Sequence, residues 1–225
     1  MRYVLYFLVV CLTPLYVHAE ESTWTVIARA DNYELYQKPS AGSADLVAFR
    51  LVGTLKSTPK EVATAILDRE HRRQWMRDVR ELRTVRLPSP GSVIEYSAVK
   101  TPFIIKDRDF VIRTDVEVDL TRQKFIIVSK SVVDPDVPET SAVRGFLTEG
   151  RFVIEPGEQP GTAKLTADMD VDPQGSVPRW IVNHFQKNWP IGMFRGLNRF
   201  LARKVATLPK DFQPLFMAEK IESKK

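Results

Sequence analysis

Residues 177–206 read VPRWIVNHFQKNWPIGMFRGLNRFLARKVA. Ile181, Phe185, Trp189, Met193, Leu197, Phe200 and Leu201 recur there at intervals of three and four, so the stretch predicts one amphipathic helix of about thirty residues. A helix that long needs a broad surface to lie on. Upstream, seven segments read as strands, at 33–38, 46–55, 92–99, 110–118, 124–132, 146–154 and 163–171, separated by turns rich in Pro, Gly and Asp. The 110–118 segment alternates most clearly. Phe110, Ile112, Thr114, Val116 and Val118 share one face, and Asp109, Val111, Arg113, Asp115 and Glu117 share the other, the pattern of an antiparallel strand with one covered and one wet face.

A shorter helix is expected to open at Thr58-Pro59-Lys60-Glu61, where a hydroxyl cap, a proline at the first helical position and a Glu three residues after the cap coincide. Val62, Ile66 and Leu67 give it an apolar stripe, and the stretch 68–81 beyond it is dense in charge with one large aromatic, Trp75, and with His71, Arg72 and Arg73 read as helical. Seven strands and one long C-terminal helix make an α+β fold, a curved antiparallel sheet wrapped around the helix. The inward residues Phe110, Ile112, Val116, Phe152, Ile154, Leu165 and Met169 suit either an ordinary packed core or the wall of a hollow.

The chain has 225 residues, 44% of them apolar and 27% charged, which excludes wholesale disorder and a disulfide scaffold. Met1 and Arg2 precede a short apolar run, and Val17-His18-Ala19 has the form of a cleavage signal before Glu20. Residues 1–19 therefore read as a cleaved secretory signal, with a retained anchor or a lipid-modified Cys11 as alternatives. The run is too short for a membrane span. Its removal leaves residues 20–225 as a single domain with its core at about 22–206. That mature chain has a net charge of +4 and no cysteine, suited to an oxidising compartment such as the periplasm.

Catalytic chemistry is sparse. The mature chain has two histidines, His71 among charged residues and His184 near the apolar face of the last helix, and it lacks HExxH, GxSxG, Walker and GxGxxG signatures. Asp107-Arg108-Asp109 and Asp168-Met169-Asp170 read as strand-end and solvent-face charges. Asp134-Pro135-Asp136 lacks the later ligands and the glycine of a calcium loop. No metal, cofactor or catalytic residue is expected. Arg69, Arg72, Arg73, Arg77, Arg80 and Arg83 are interleaved with Glu61, Asp68, Glu70, Asp78 and Glu81, which reads as a salt-bridged surface rather than a nucleic-acid site. A modest basic face suits transient contact with anionic lipid headgroups.

Three segments together resemble the START domain, the steroidogenic-acute-regulatory-related lipid-transfer family. DREHRRQW at 68–75 is similar to the family's helix ending in tryptophan, KDRDFV at 106–111 to its Arg-Asp-Phe-Val strand start, and GSVPRWIVN at 175–183 to the Gly-x-x-Pro-x-x-Ile-x-Asn start of its final helix. The resemblance spans about residues 22–205. It implies a helix-grip fold with an internal hydrophobic tunnel for one lipid, such as a phospholipid or sterol, and no catalysis.

By that resemblance Glu95 stands where sterol-binding members carry an acid in the cavity, while Thr114 occupies the place of the arginine that pairs with it. Arg113, one residue away, belongs to the opposite face. Glu95 and Thr114 would orient a headgroup, with Phe110, Ile112, Met169, Phe185, Trp189 and Met193 lining the tunnel. The loop 133–143, through Val133, Val137 and Pro138, would cover the tunnel mouth. Pro190, Gly192 and Gly196 either let the final helix open locally or let it sit close to the sheet. The competing functional reading is a small enzyme on a related helix-grip scaffold, of the polyketide cyclase or aromatase kind, using Glu95 or His184; a third is a structural component with a filled cavity.

Overall fold

The computed structural model describes residues 23–217 apart from 44, 102–104 and 178, with the backbone but not the side chains of 179–181 and 183–187. The expected export signal and the side chains of Phe185 and His184 lie outside these residues.

The strands are β1 (Thr25–Ala30), β2 (Tyr33–Pro39), β3 (Val47–Leu55), β4 (Val79–Ser89), β5 (Ser92–Val99), β6 (Arg108–Asp119), β7 (Lys124–Ser131), β8 (Val143–Arg144), β9 (Phe146–Pro156) and β10 (Ala163–Asp172). Helix α1 (Pro59–Leu67) follows β3, and α2 (Arg179–Leu201) follows β10. The sheet order is β1-β2-β3-β10-β9-β7-β6-β5-β4 with antiparallel neighbours, and β8 runs parallel to β6. All seven expected strands are present. β1, β4 and β8 are additional; β4 begins within the charged stretch 68–81. Between α1 and β4 the chain makes only a 3-10 turn at Arg72–Gln74.

The start of α1 follows from its sequence. Thr58 Oγ1 accepts from the Glu61 N–H at 3.3 Å while Glu61 Oε2 accepts from the Thr58 N–H at 2.8 Å, so two otherwise unpaired donors are satisfied reciprocally. Val62, Ala63, Ala65 and Ile66 are buried, and α1 packs on β7, β9, β10 and α2. The concave face is thus filled by two helices, where the sequence suggested one. α2 continues through Pro190.

The packed body extends beyond residue 206, past the expected core boundary. Phe212 and Phe216 are buried, and the Phe216 ring lies 5.1 Å from that of Phe125 on β7. The final 3-10 turn, Gln213–Phe216, rests against β6.

The outer face of β6 is not uniformly wet. Val111 is buried with Ile94, Tyr96 and Val137 in a second cluster on the convex side. Asp109 is buried there too, accepting from Arg144 Nε and Thr140 Oγ1, each at 2.7 Å. Burial works to raise the Asp109 pKa, but the hydrogen bonds and charge of Arg144, with those from Thr140 and Tyr96, outweigh it and hold the group below the ordinary carboxylate range. Asp134 is held low as well, chiefly by its hydrogen bond from Arg86. A carboxylate whose pKa is depressed by folding stabilises the protein above its unfolded pKa, and that contribution is lost as pH falls through the folded value. Melting temperature is therefore expected to hold from neutral pH down to about 5 and to fall below about 4. Asp109→Asn should be less stable at neutral pH and lose less on acidification; an equally steep acid loss in the variant would exclude Asp109 as a source.

Candidate functional site

The inward residues of the sheet divide into two populations. Val116, Phe125, Ile127, Ile154 and Leu165 are buried in the core. Phe110, Ile112 and Met169 point to the same side yet keep accessible surface, because they face a cavity of about 300 Å³. That volume suits a site for an organic ligand. Its wall is mostly apolar, with Phe49, Leu147, Phe152 and Val171 from the sheet and Val182 and Trp189 from α2. The rings of Phe49 and Trp189 meet at 5.9 Å.

Of the residues singled out in the sequence, Glu95, Phe110, Ile112, Thr114, Met169 and Trp189 are together in this wall. Met193 is not. It is buried in the main core, because one turn beyond Trp189 the concave side is occupied by packed side chains of α1 and α2. The three residues expected in the covering loop are not in this wall either: Val137 is buried on the convex face, Val133 is fully exposed and Pro138 is exposed. The loop is drawn there by the Arg86–Asp134 and Arg144–Asp109 pairs.

Polarity is concentrated at a few points of the wall. Thr114 and Ser129 join their hydroxyls at 2.9 Å across β6 and β7, so Thr114 is satisfied within the protein. Arg108, buried rather than a strand-end surface charge, donates to the carbonyls of Pro173 and Gln174 at 3.0 and 2.9 Å and to that of Lys106. It thereby ties the start of β6 to the loop leading into α2.

Glu95 is different. It is buried, and among the described residues its Oε1 has no hydrogen-bond partner; the nearest described cation is Arg69 Nε at 3.6 Å, beyond hydrogen-bond reach. Arg72 also lines the cavity, and its Nε and the Trp75 indole N–H are likewise buried without partners among the described residues. Burial pushes the Arg72 pKa down, the Glu95 charge working against that effect. Unpaired buried polar atoms each cost about 1–3 kcal/mol, so three in one wall mark where a ligand's polar group can be received.

Arg69 and Arg72 were legible only as part of a mixed charged surface. The turn at 68–75 directs Arg69 and Arg72 inward while Arg73 and Arg77 stay exposed, a division that the even mixture of charges does not reveal. His71 is likewise not a solvated helix residue: it is largely covered, with Nδ1 2.8 Å from the buried Asp68 carboxylate.

Residues 15–207 match the START domain family. The mouse (Mus musculus) phosphatidylcholine transfer protein is 28% identical over 173 residues, 73% of this chain and 77% of that protein. Human (Homo sapiens) StAR-related lipid transfer protein 7, mitochondrial, is 28% identical over 170 residues, 73% of this chain and 45% of that protein. Among solved structures, the STAR-related lipid transfer protein from Xanthomonas axonopodis superposes with a TM-score of 0.68 at 23% identity, covering 80% of this chain and 98% of that one. Human StAR-related lipid transfer protein 5 superposes at 0.71 and 18% identity, covering 83% and 89%. These likenesses establish the helix-grip architecture, and with the match across most of its length the chain belongs to the START domain family.

Proposed function

We propose that the protein binds a single lipid in the cavity and carries it between membranes, without catalysis. The observation that carries this reading is the apolar cavity interrupted by Arg72, Trp75 and Glu95, each with a buried polar atom that has no partner among the described residues. Acyl or ring carbon would be held by burial of apolar surface, at about 25 cal/mol per Å² removed from water. Arg72 suits an anionic group such as a phosphodiester, and Glu95 a donor. The similarity to phosphatidylcholine transfer protein supports a phospholipid as the cargo.

Residues 1–19 would direct the chain to the periplasm, where a cysteine-free domain with a net positive charge can meet anionic membrane surfaces transiently. Native mass spectrometry of the protein exported by a bacterial host tests both parts. The expected species begins at Glu20 and carries one lipid per chain, which exchanges with vesicles. A protein that is empty and takes up nothing from vesicles would overturn the lipid reading; one retaining Met1 would overturn the export reading.

A further inference from the structure

The segment after α2 reaches the polar end of the cavity from behind. Thr207 N–H donates to Asp68 at 2.7 Å, and Phe212 and Phe216 are buried. Between these anchors Asp211 accepts from both terminal nitrogens of Arg69, at 3.0 and 2.5 Å. The Arg69 guanidinium also lies 5.6 Å from the centre of the Phe212 ring. Asp211 and the two phenylalanines lie beyond residue 207, where the family match ends.

Among the described residues Arg69 is the nearest cation to Glu95, and its Nε lies 3.6 Å from Oε1. A guanidinium gives its strongest contact through two parallel N–H groups, and the terminal pair is committed to Asp211. Turning it toward Glu95 would break that pair. Glu95, with less than a tenth of its side chain exposed, is left in the cavity wall with an oxygen that no donor among the described residues satisfies.

We infer that Asp211 selects the ligand: by clamping Arg69 it withholds that donor from Glu95 and reserves the carboxylate for a lipid headgroup that brings its own N–H. This rests on the lipid-binding reading and sharpens it, since it favours ammonium headgroups with at least one proton over trimethylammonium, which has none. Asp211 is a positioning residue here, acting through Arg69.

The test uses vesicles of phospholipids with identical acyl chains and ethanolamine, monomethyl-, dimethylethanolamine or choline headgroups. In the wild-type protein uptake is expected to drop at the last methylation by about tenfold, the scale of one hydrogen bond to an ionised group. Asp211→Asn should free Arg69 to pair with Glu95 and level the series to within about twofold. Adding Arg69→Met to Asp211→Asn removes the competing cation and should restore the drop, which a merely structural role of Asp211 would not do. Equal uptake across the series by the wild type, or an unchanged preference in folded Asp211→Asn, overturns the inference while leaving lipid binding standing. Wild-type protein that takes up none of the four lipids overturns the lipid reading itself. The wild-type series decides even where the variants do not fold.

Discussion

Asp68→Ala is expected to lower stability by about 3–5 kcal/mol, the loss typical when one partner of a buried charged network is removed. Asp68 is 1% exposed and caps the end of α1. Its Oδ1 accepts from the His71 N–H at 3.1 Å; its Oδ2 accepts from the Thr207 N–H at 2.7 Å and faces His71 Nδ1 at 2.8 Å. One carboxylate therefore holds together the end of α1, the turn that carries Arg69 and Arg72, and the chain leaving α2. Alanine would orphan these donors where little water reaches them, and hydrogen bonds to charged groups are the costly ones to lose. Asp68→Asn keeps one oxygen acceptor and should lose less. Urea unfolding monitored by tryptophan fluorescence measures both; a loss under about 1 kcal/mol for Asp68→Ala would show that the donors find other partners.

That junction is where the sequence was hardest to read. Strand β6 was legible because its inward residues alternate with polar ones over nine positions, and α1 because its cap chemistry is local. The long helix was legible from spacing alone, though it ends at Leu201 rather than near residue 206. β4 was not: Arg80, Glu81, Arg83 and Arg86 mask its strand character, and bulges break its register with β5. Arg69 and Arg72 were hidden for a related reason. Their inward direction depends on contacts with residues more than a hundred positions away, Arg69 with Asp211 and Asp68 with Thr207, which the local sequence does not show. The family resemblance placed Glu95 in a cavity and named an arginine on β6 as its usual partner. In this chain the cations near it come from the turn at 68–75 instead.

The two glycines of α2 should behave oppositely when changed to alanine. A Cβ on Gly192 would meet nothing within 4 Å among the described residues, so Gly192→Ala is expected to gain up to about 1 kcal/mol from helix propensity. A Cβ on Gly196 would lie 2.5 Å from the Trp75 carbonyl oxygen and 3.3 Å from its carbonyl carbon. Those are backbone atoms of the turn that positions Arg72, and they cannot rotate aside. Gly196→Ala must push α2 away from that turn, costing about 1–3 kcal/mol or more. The helix is constrained from the sheet side as well: the Phe194 ring sits where a Cβ on Gly53 would be, at 2.5 Å, and packs edge-on against Tyr33. With α2 held between β3 and the Trp75 turn, displacement at Gly196 should also disturb Arg72 and Trp75 in the cavity wall and reduce lipid uptake. Gly192→Ala should leave uptake intact. Thermal melts and vesicle uptake on the two variants distinguish close packing from local opening as the role of these glycines. Slower uptake in a stabilised Gly192→Ala would favour opening. Loss confined to Gly196→Ala would favour packing against the turn, rather than against the sheet, as the reason a small residue stands there.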